Sequence, residues 1–375
     1  MLLAPELTMA PLQAGEPWIR PPLPLDAGDA SAVPRVLPPP KVDLRTAGPV
    51  IPPVAPEAGR FQSALDAARA SASAYGITFA AVRNGEIVWA GSSGSVRDGP
   101  AALLPDSEMV IGSVTKTYVA ATILQLAEEG RLSLDDSVRE YLPERRRVSR
   151  AITIRQLMDH TSGLADLFND TTRKGLEEQP ERAWTADEVL NSLHAPWYEP
   201  GEGWAYANTN YYLLGLIVER VTGGSLADEL DRRFLAPMGL EATQMLSPDD
   251  VDGPLEPAWS TIFWASGAMS ASAADLARWG DALYGDDLLE PASRRAMLRV
   301  NDDDYGLGVQ RIELPRRTGY GHTGLLNTYT TLLLHLPGDD VTIALMVNRS
   351  HVDLLSMLME RPADGSSLLR LAIDS

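Results

Sequence analysis

Cysteine is absent from all 375 residues, which removes disulfides, thiolate metal sites and a cysteine nucleophile together and leaves the redox compartment open. Lysine is scarce: Lys41, Lys116 and Lys174 stand among thirty-two cationic side chains, and the other twenty-nine are arginine. No run of 18 apolar residues occurs, so no stretch reads as a bilayer-spanning helix. The five histidines (His160, His194, His322, His335 and His351) show no His-x-x-x-His spacing, and neither a metal nor another cofactor is expected. A formal charge of −19 repels phosphate backbones and anionic lipid, which argues against nucleic acid and membrane surfaces as partners.

What is present fits a globular enzyme. An apolar content of 45% with 22% charged residues is ordinary for a soluble domain, and the length allows a large core with two lobes. Fourteen of the twenty-eight prolines fall within residues 1–58, a composition that sustains neither helix nor sheet. That segment reads as an extended arm or linker, of the kind that tethers a catalytic domain to an anchor, with the domain itself at 59–375. The start, Met1-Leu2-Leu3-Ala4-Pro5, lacks the basic and apolar stretches of a secretory signal. The arm points to a periplasmic or extracellular setting; the missing signal leaves a cytoplasmic one open.

Periodicity then divides the domain. A helical pattern through Phe61, Leu65, Ala68 and Ala72 precedes two strands, Ile77 to Arg83 and Glu86 to Ala90, around the turn Asn84-Gly85. Strand patterns return at Gly319 to Thr323, Thr328 to Leu336 and Val341 to Val347, followed by a helix over Val352 to Met359. Between them the spacing predicts helices over Thr115 to Glu129, Ile154 to Asp159, Thr185 to Ser192, Asn210 to Val221, Leu226 to Phe234, Ala273 to Leu283 and Pro291 to Arg299. The expected class is α/β in the α+β sense: one antiparallel sheet (59–112 and 300–375) flanked by terminal helices, with an all-helical lobe (113–299) inserted and a cleft between the two.

Three short motifs carry chemistry. In Ile111-Gly112-Ser113-Val114-Thr115-Lys116 an amine stands three residues after a hydroxyl, on one face of a helix. Arginine never releases its proton, whereas a lysine can be lowered by burial until it acts as a base, so keeping lysine here points to an activated serine. In Tyr206-Ala207-Asn208 an extended loop would turn a phenol and a carboxamide to one side, and a nearby ammonium would lower the phenol pKa. In Gly319-Tyr320-Gly321-His322-Thr323-Gly324 glycines inside a strand mark an edge that another backbone approaches.

Taken in order, Ser-x-x-Lys, Tyr-x-Asn and His-Thr-Gly resemble the penicillin-recognising serine hydrolases, and within them the group of class C β-lactamases, D-alanyl-D-alanine carboxypeptidases and esterases. His160 to Leu164, Glu199 to Gly223, Ala265 to Trp279 and Tyr305 to Gly308 fit the same group, so the similarity runs over about residues 59 to 350. The resemblance implies a β-lactamase/transpeptidase-like fold and an acyl-enzyme on Ser113, with Lys116 and Tyr206 moving its proton. It implies an oxyanion site at the Ser113 and Leu325 N–H groups on the edge formed by Thr323, Gly324 and Leu325. Asn208 would meet a substrate amide and hold Lys116, while His322 would support the Tyr206 hydroxyl or meet a substrate carboxylate. Arg311 is a candidate clamp for that carboxylate. The substrate would be a small molecule or peptide with an amide or ester carbonyl, as for a D-Ala-D-Ala carboxypeptidase. A carboxylesterase, a weak β-lactamase and a non-catalytic binding protein on the same fold are the alternatives. Tyrosine and histidine stand where the Ser-Asp-Asn and Lys-Thr-Gly β-lactamase set has serine and lysine, a variant the resemblance associates with carboxypeptidases and broad acyl hydrolases more than with efficient β-lactamases, and Leu325, where relatives often carry glycine, would narrow or grease the cleft.

Overall fold

The computed structural model describes residues 56–96, 101–250, 253–285, 288–362 and 365–375. Most of the proline-rich arm, residues 1–55, lies outside the described residues, and its last three residues open the helix Pro56–Ser71.

Six strands form one antiparallel sheet. In chain order they are β1 (Gly76–Arg83), β2 (Glu86–Gly94), β6 (Gln310–Leu314), β7 (Arg317–Leu326), β8 (Tyr329–Leu336) and β9 (Val341–Val347). Their spatial order is β2-β1-β9-β8-β7-β6, so β1 pairs with β9 and the two ends of the domain meet in mid-sheet. A second sheet of three short strands, β3 (Met109–Val110), β5 (Met269–Ala271) and β4 (Thr243–Met245), is tied together through β5.

The main sheet is covered on both faces, and the period-2 alternation decides which residue goes where. Ile77, Phe79 and Ala81 of β1, with Ile343 and Leu345 of β9, pack under the terminal helices Pro56–Ser71, Leu354–Met359 and Leu368–Asp374. Ala80 and Val82 of β1, with Leu333 of β8 and Ala344 and Met346 of β9, face the helical part of the chain instead. The helix Thr115–Glu128 runs through that second core and is buried on every side from Thr115 to Leu126. Among the described residues no helix is long and apolar enough to cross a membrane.

The elements depart from the sequence expectation at five places. The helix expected near Asn210 begins at Asn208, with Ala207 extended as its N-cap. The stretch expected as helix to Phe234 is α-helical over Leu226–Leu230 and continues as a π-helical turn over Asp231–Leu235. The helices Asp170–Glu178 and Pro257–Gly267 were not expected, and neither was β6, which forms the sheet edge beside β7.

Candidate active site

Ser113 sits in a one-turn 3-10 helix, Gly112–Val114, that leads into the helix Thr115–Glu128. Gly112 takes φ +52°, and a Cβ there would lie 2.9 Å from the Leu325 nitrogen; a Cβ on Gly324 would lie 2.0 Å from the Ile111 carbonyl oxygen. Only glycine at both positions lets β7 run this close to the serine turn. β6 covers β7 no further than Gly321, so among the described residues no strand neighbours that edge from Thr323 onward. The Thr323 N–H points off that edge, toward Gln310, and the Leu325 N–H, two residues on, points to the same side. The close pass of Gly112 brings the serine turn to that donor.

The Lys116 amine is buried and has three partners. Nζ donates to Ser113 Oγ at 2.9 Å, Asn208 Oδ1 at 2.9 Å and the Ser266 carbonyl at 2.6 Å. The Ser266 carbonyl belongs to the last turn of the helix Pro257–Gly267, which leaves regular geometry at Trp264 (φ 19°, ψ −111°). Burial pushes Lys116 down to about 7, against the opposing pull of Asp166. Asn208 Oδ1 and the Ser266 carbonyl can only accept, so a neutral Lys116 keeps its two N–H bonds to them. Its lone pair is then left for Ser113, whose hydroxyl alone among the three can donate.

Asp166 is a member of this cluster that the motifs did not single out. Its Oδ2 accepts from the Asn208 backbone N–H at 3.0 Å and from Asn208 Nδ2 at 3.2 Å, and its Oδ1 accepts from the Phe168 N–H at 2.7 Å. Because the amide nitrogen is engaged by a carboxylate, the amide oxygen must face Lys116. The signal in the sequence was an acid set between Leu164-Ala165 and Leu167-Phe168, where no solvated face is available to it. Burial raises the Asp166 pKa, and its hydrogen bonds and Lys116 oppose that rise.

Tyr206 lies beside the same amine, with Lys116 Nζ 4.9 Å from its ring centroid. The phenol pKa moves opposite to the sequence expectation: burial drives it far up, and the nearness of Ser113 offsets only part of that. Tyr206 therefore keeps its proton at neutral pH. Its hydroxyl reaches the Ser113 side without a hydrogen bond of good geometry to any described residue. His160 organises this loop. Its Nδ1 accepts from Asn210 Nδ2 at 2.8 Å and from the Ala207 N–H at 3.3 Å, which fixes the residue between Tyr206 and Asn208.

His322 and Arg311 stand differently from the sequence expectation. His322 is 1% exposed; its Nδ1 donates to the Thr323 carbonyl at 2.6 Å and its Nε2 accepts from the Tyr305 hydroxyl at 2.9 Å. Burial and the Lys116 charge push His322 down to about 3, so it is neutral and offers no cation to a carboxylate. Its ring centroid is 6.3 Å from that of Tyr206, and Tyr305 takes the bond expected for Tyr206. Arg311 is exposed and paired with Asp304 at 2.5 Å and Glu313 at 3.4 Å, so it is no free clamp.

A sheet built from both chain ends, a buried Ser-x-x-Lys pair and a glycine-lined strand edge define a class, and comparison with known proteins agrees. The Beta-lactamase family profile matches residues 61–361, and the chain belongs to that family. It is 27% identical to penicillin-binding protein 4* of Bacillus subtilis, over 66% of this chain and 62% of that protein. It is also 27% identical to a D-aminopeptidase of Brucella anthropi, over 66% of this chain and 51% of that one. The matches thus span between half and two thirds of these relatives' lengths. Among solved structures, a D-stereospecific amidohydrolase from Streptomyces superposes with a TM-score of 0.69 at 27% identity, covering 83% of this chain and all of the other.

Proposed function

We propose that this chain hydrolyses amide or ester bonds through an acyl-enzyme on Ser113. Neutral Lys116 takes the hydroxyl proton while Ser113 Oγ bonds to the substrate carbonyl carbon, and the carbonyl π pair moves onto oxygen. The N–H groups of Ser113 and Leu325 receive that oxyanion. As the tetrahedral carbon collapses, the bond to the leaving nitrogen or oxygen breaks, and the leaving atom takes the Tyr206 hydroxyl proton. Lys116, now an ammonium, returns a proton to the phenol. Water then repeats the sequence on the acyl-enzyme, with Lys116 again as base and Ser113 as leaving group.

The observation that carries this reading is the set of partners around Lys116 Nζ, which leaves Ser113 as its only possible proton donor. Peptidase, amidase and esterase forms of the chemistry share this acylation step. A D-Ala-D-Ala carboxypeptidase would run on it, and so would a D-aminopeptidase or a D-stereospecific amidohydrolase, the activities named in two of the relatives. A non-catalytic binding protein would have no use for a buried lysine lowered to about 7.

Mass spectrometry of the intact chain after treatment with a fluorophosphonate and with penicillin tests the reading. The expected result is one adduct, on the peptide containing Ser113, absent from Ser113→Ala. An adduct on a different serine, or none with either reagent, overturns it.

A further inference from the structure

Gln310 opens β6 opposite Gly321. Its side chain reaches past the end of the strand pairing, where Oε1 accepts from both the Thr323 N–H at 2.9 Å and the Thr323 hydroxyl at 3.0 Å. A backbone N–H can only donate, so the amide orientation is fixed by chemistry: oxygen on Thr323, nitrogen turned away. No described residue accepts from that nitrogen, which leaves two N–H donors beside the uncovered edge. Thr323 stands two residues from Leu325, roughly 7 Å along an extended strand. Gln310 thus closes the edge one dipeptide step from the oxyanion donor.

This is the end toward which a leaving group departs. The leaving atom takes its proton from Tyr206, and Tyr206 faces His322 and Tyr305 at this end of the edge. Beyond Lys116, neither His322 nor Arg311 supplies a free cation there. His322 is neutral, and Arg311 is bound to two carboxylates. The turn before β6 reads Asp302-Asp303-Asp304, and Asp303 adds to the burial that raises the Tyr198 phenol pKa. A carboxylate arriving at this end would meet acidic side chains and find the Thr323 donors already taken. A carboxamide or ester oxygen would meet an N–H donor at no electrostatic cost.

We infer that Gln310 is a specificity-determining residue: its amide occupies the Thr323 donors and offers its own N–H groups to a neutral leaving group, selecting carboxamides and esters over substrates that end in a free carboxylate. The inference rests on the acyl-serine reading of the site and makes the chain an amidase or esterase rather than a carboxypeptidase.

The test measures kcat/KM on a matched pair, N-acetyl-D-alanyl-D-alanine with a free C-terminus and the same dipeptide as its C-terminal amide, with wild type, Gln310→Arg and Gln310→Glu. The wild-type chain should favour the amide by about tenfold or more. Gln310→Arg should shift the ratio toward the free acid. Gln310→Glu, which preserves the bonds to Thr323, should shift it further toward the amide. A wild-type preference for the free acid, turnover of neither peptide by an enzyme that is acylated, or a ratio unmoved in both variants would overturn the inference. Fluorophosphonate labelling of the wild-type chain, lost in Ser113→Ala, separately reports the hydrolase reading: no labelling sinks both, whereas labelling with an unmoved ratio sinks only the role of Gln310.

Discussion

A lysine lowered to about 7 sets the pH response of the whole site. Below that value the amine is protonated and cannot take the Ser113 proton; above it the base is free. The acid limb of kcat/KM is therefore expected near pH 7, read from initial rates on an uncharged ester. Lys116→Arg holds its proton at every accessible pH and should lose roughly 10²- to 10⁴-fold in acylation rate. Asp166 favours the ammonium form of Lys116, so Asp166→Asn, which can still accept from the Asn208 N–H, should move the acid limb to lower pH. A limb that stays put would detach this carboxylate from the amine. The motif residues were legible because each pair lies within three positions of sequence and a local periodicity brings its members together. Asp166 and Gln310 act across 42 and 13 residues, a relation that only the packed chain displays.

Among the elements, β7 carries the greatest demand. Its approach to the serine turn needs two residues without side chains, and Gly324→Ala would set a methyl group 2.0 Å from the Ile111 carbonyl oxygen. The strand must then retreat and take the Leu325 N–H with it. Loss of one oxyanion donor elsewhere costs about 10²- to 10³-fold, and stopped-flow acylation should show a fall of that size with far-UV circular dichroism unchanged. An unaffected rate would mean that Leu325 is not a donor. The long strands were readable from alternation, and Val341–Val347 has the same limits in sequence and structure. β6 was missed because five residues behind the Gly306 and Gly308 turn give too short a period, and β3, with two residues, gives none. The helix Pro257–Gly267 hid because it is apolar on nearly every side and shows no polar stripe to mark a period.

At the scale of the whole molecule, strands at both ends around a helical middle predicted one sheet, and β1 against β9 is its closing seam, but the middle read as all helix carries β4 and β5 of a second sheet. The seam has a polar clasp: buried Asn348 accepts the Gly76 N–H at 2.6 Å and donates to the Ser95 carbonyl at 2.9 Å. Asn348→Ala leaves a buried N–H without its acceptor, and urea titration should report a loss of about 1–3 kcal/mol. Ser113 acylation under native conditions should persist, since the clasp lies on the opposite side of β9 from β7; coupled loss of both would join the seam to the site.

That seam also sets an order of events at the ribosome. The β1–β2 hairpin emerges early and then waits, one flank of β1 unsatisfied, until β9 leaves the exit tunnel more than two hundred residues later. A translation product halted between Lys116 and β7 would already contain Ser113 and Lys116 but not the backbone donor at Leu325. Hydrolytic competence therefore arrives only once β7 has been made, and chains terminated before it should be both inert and prime clients for chaperones.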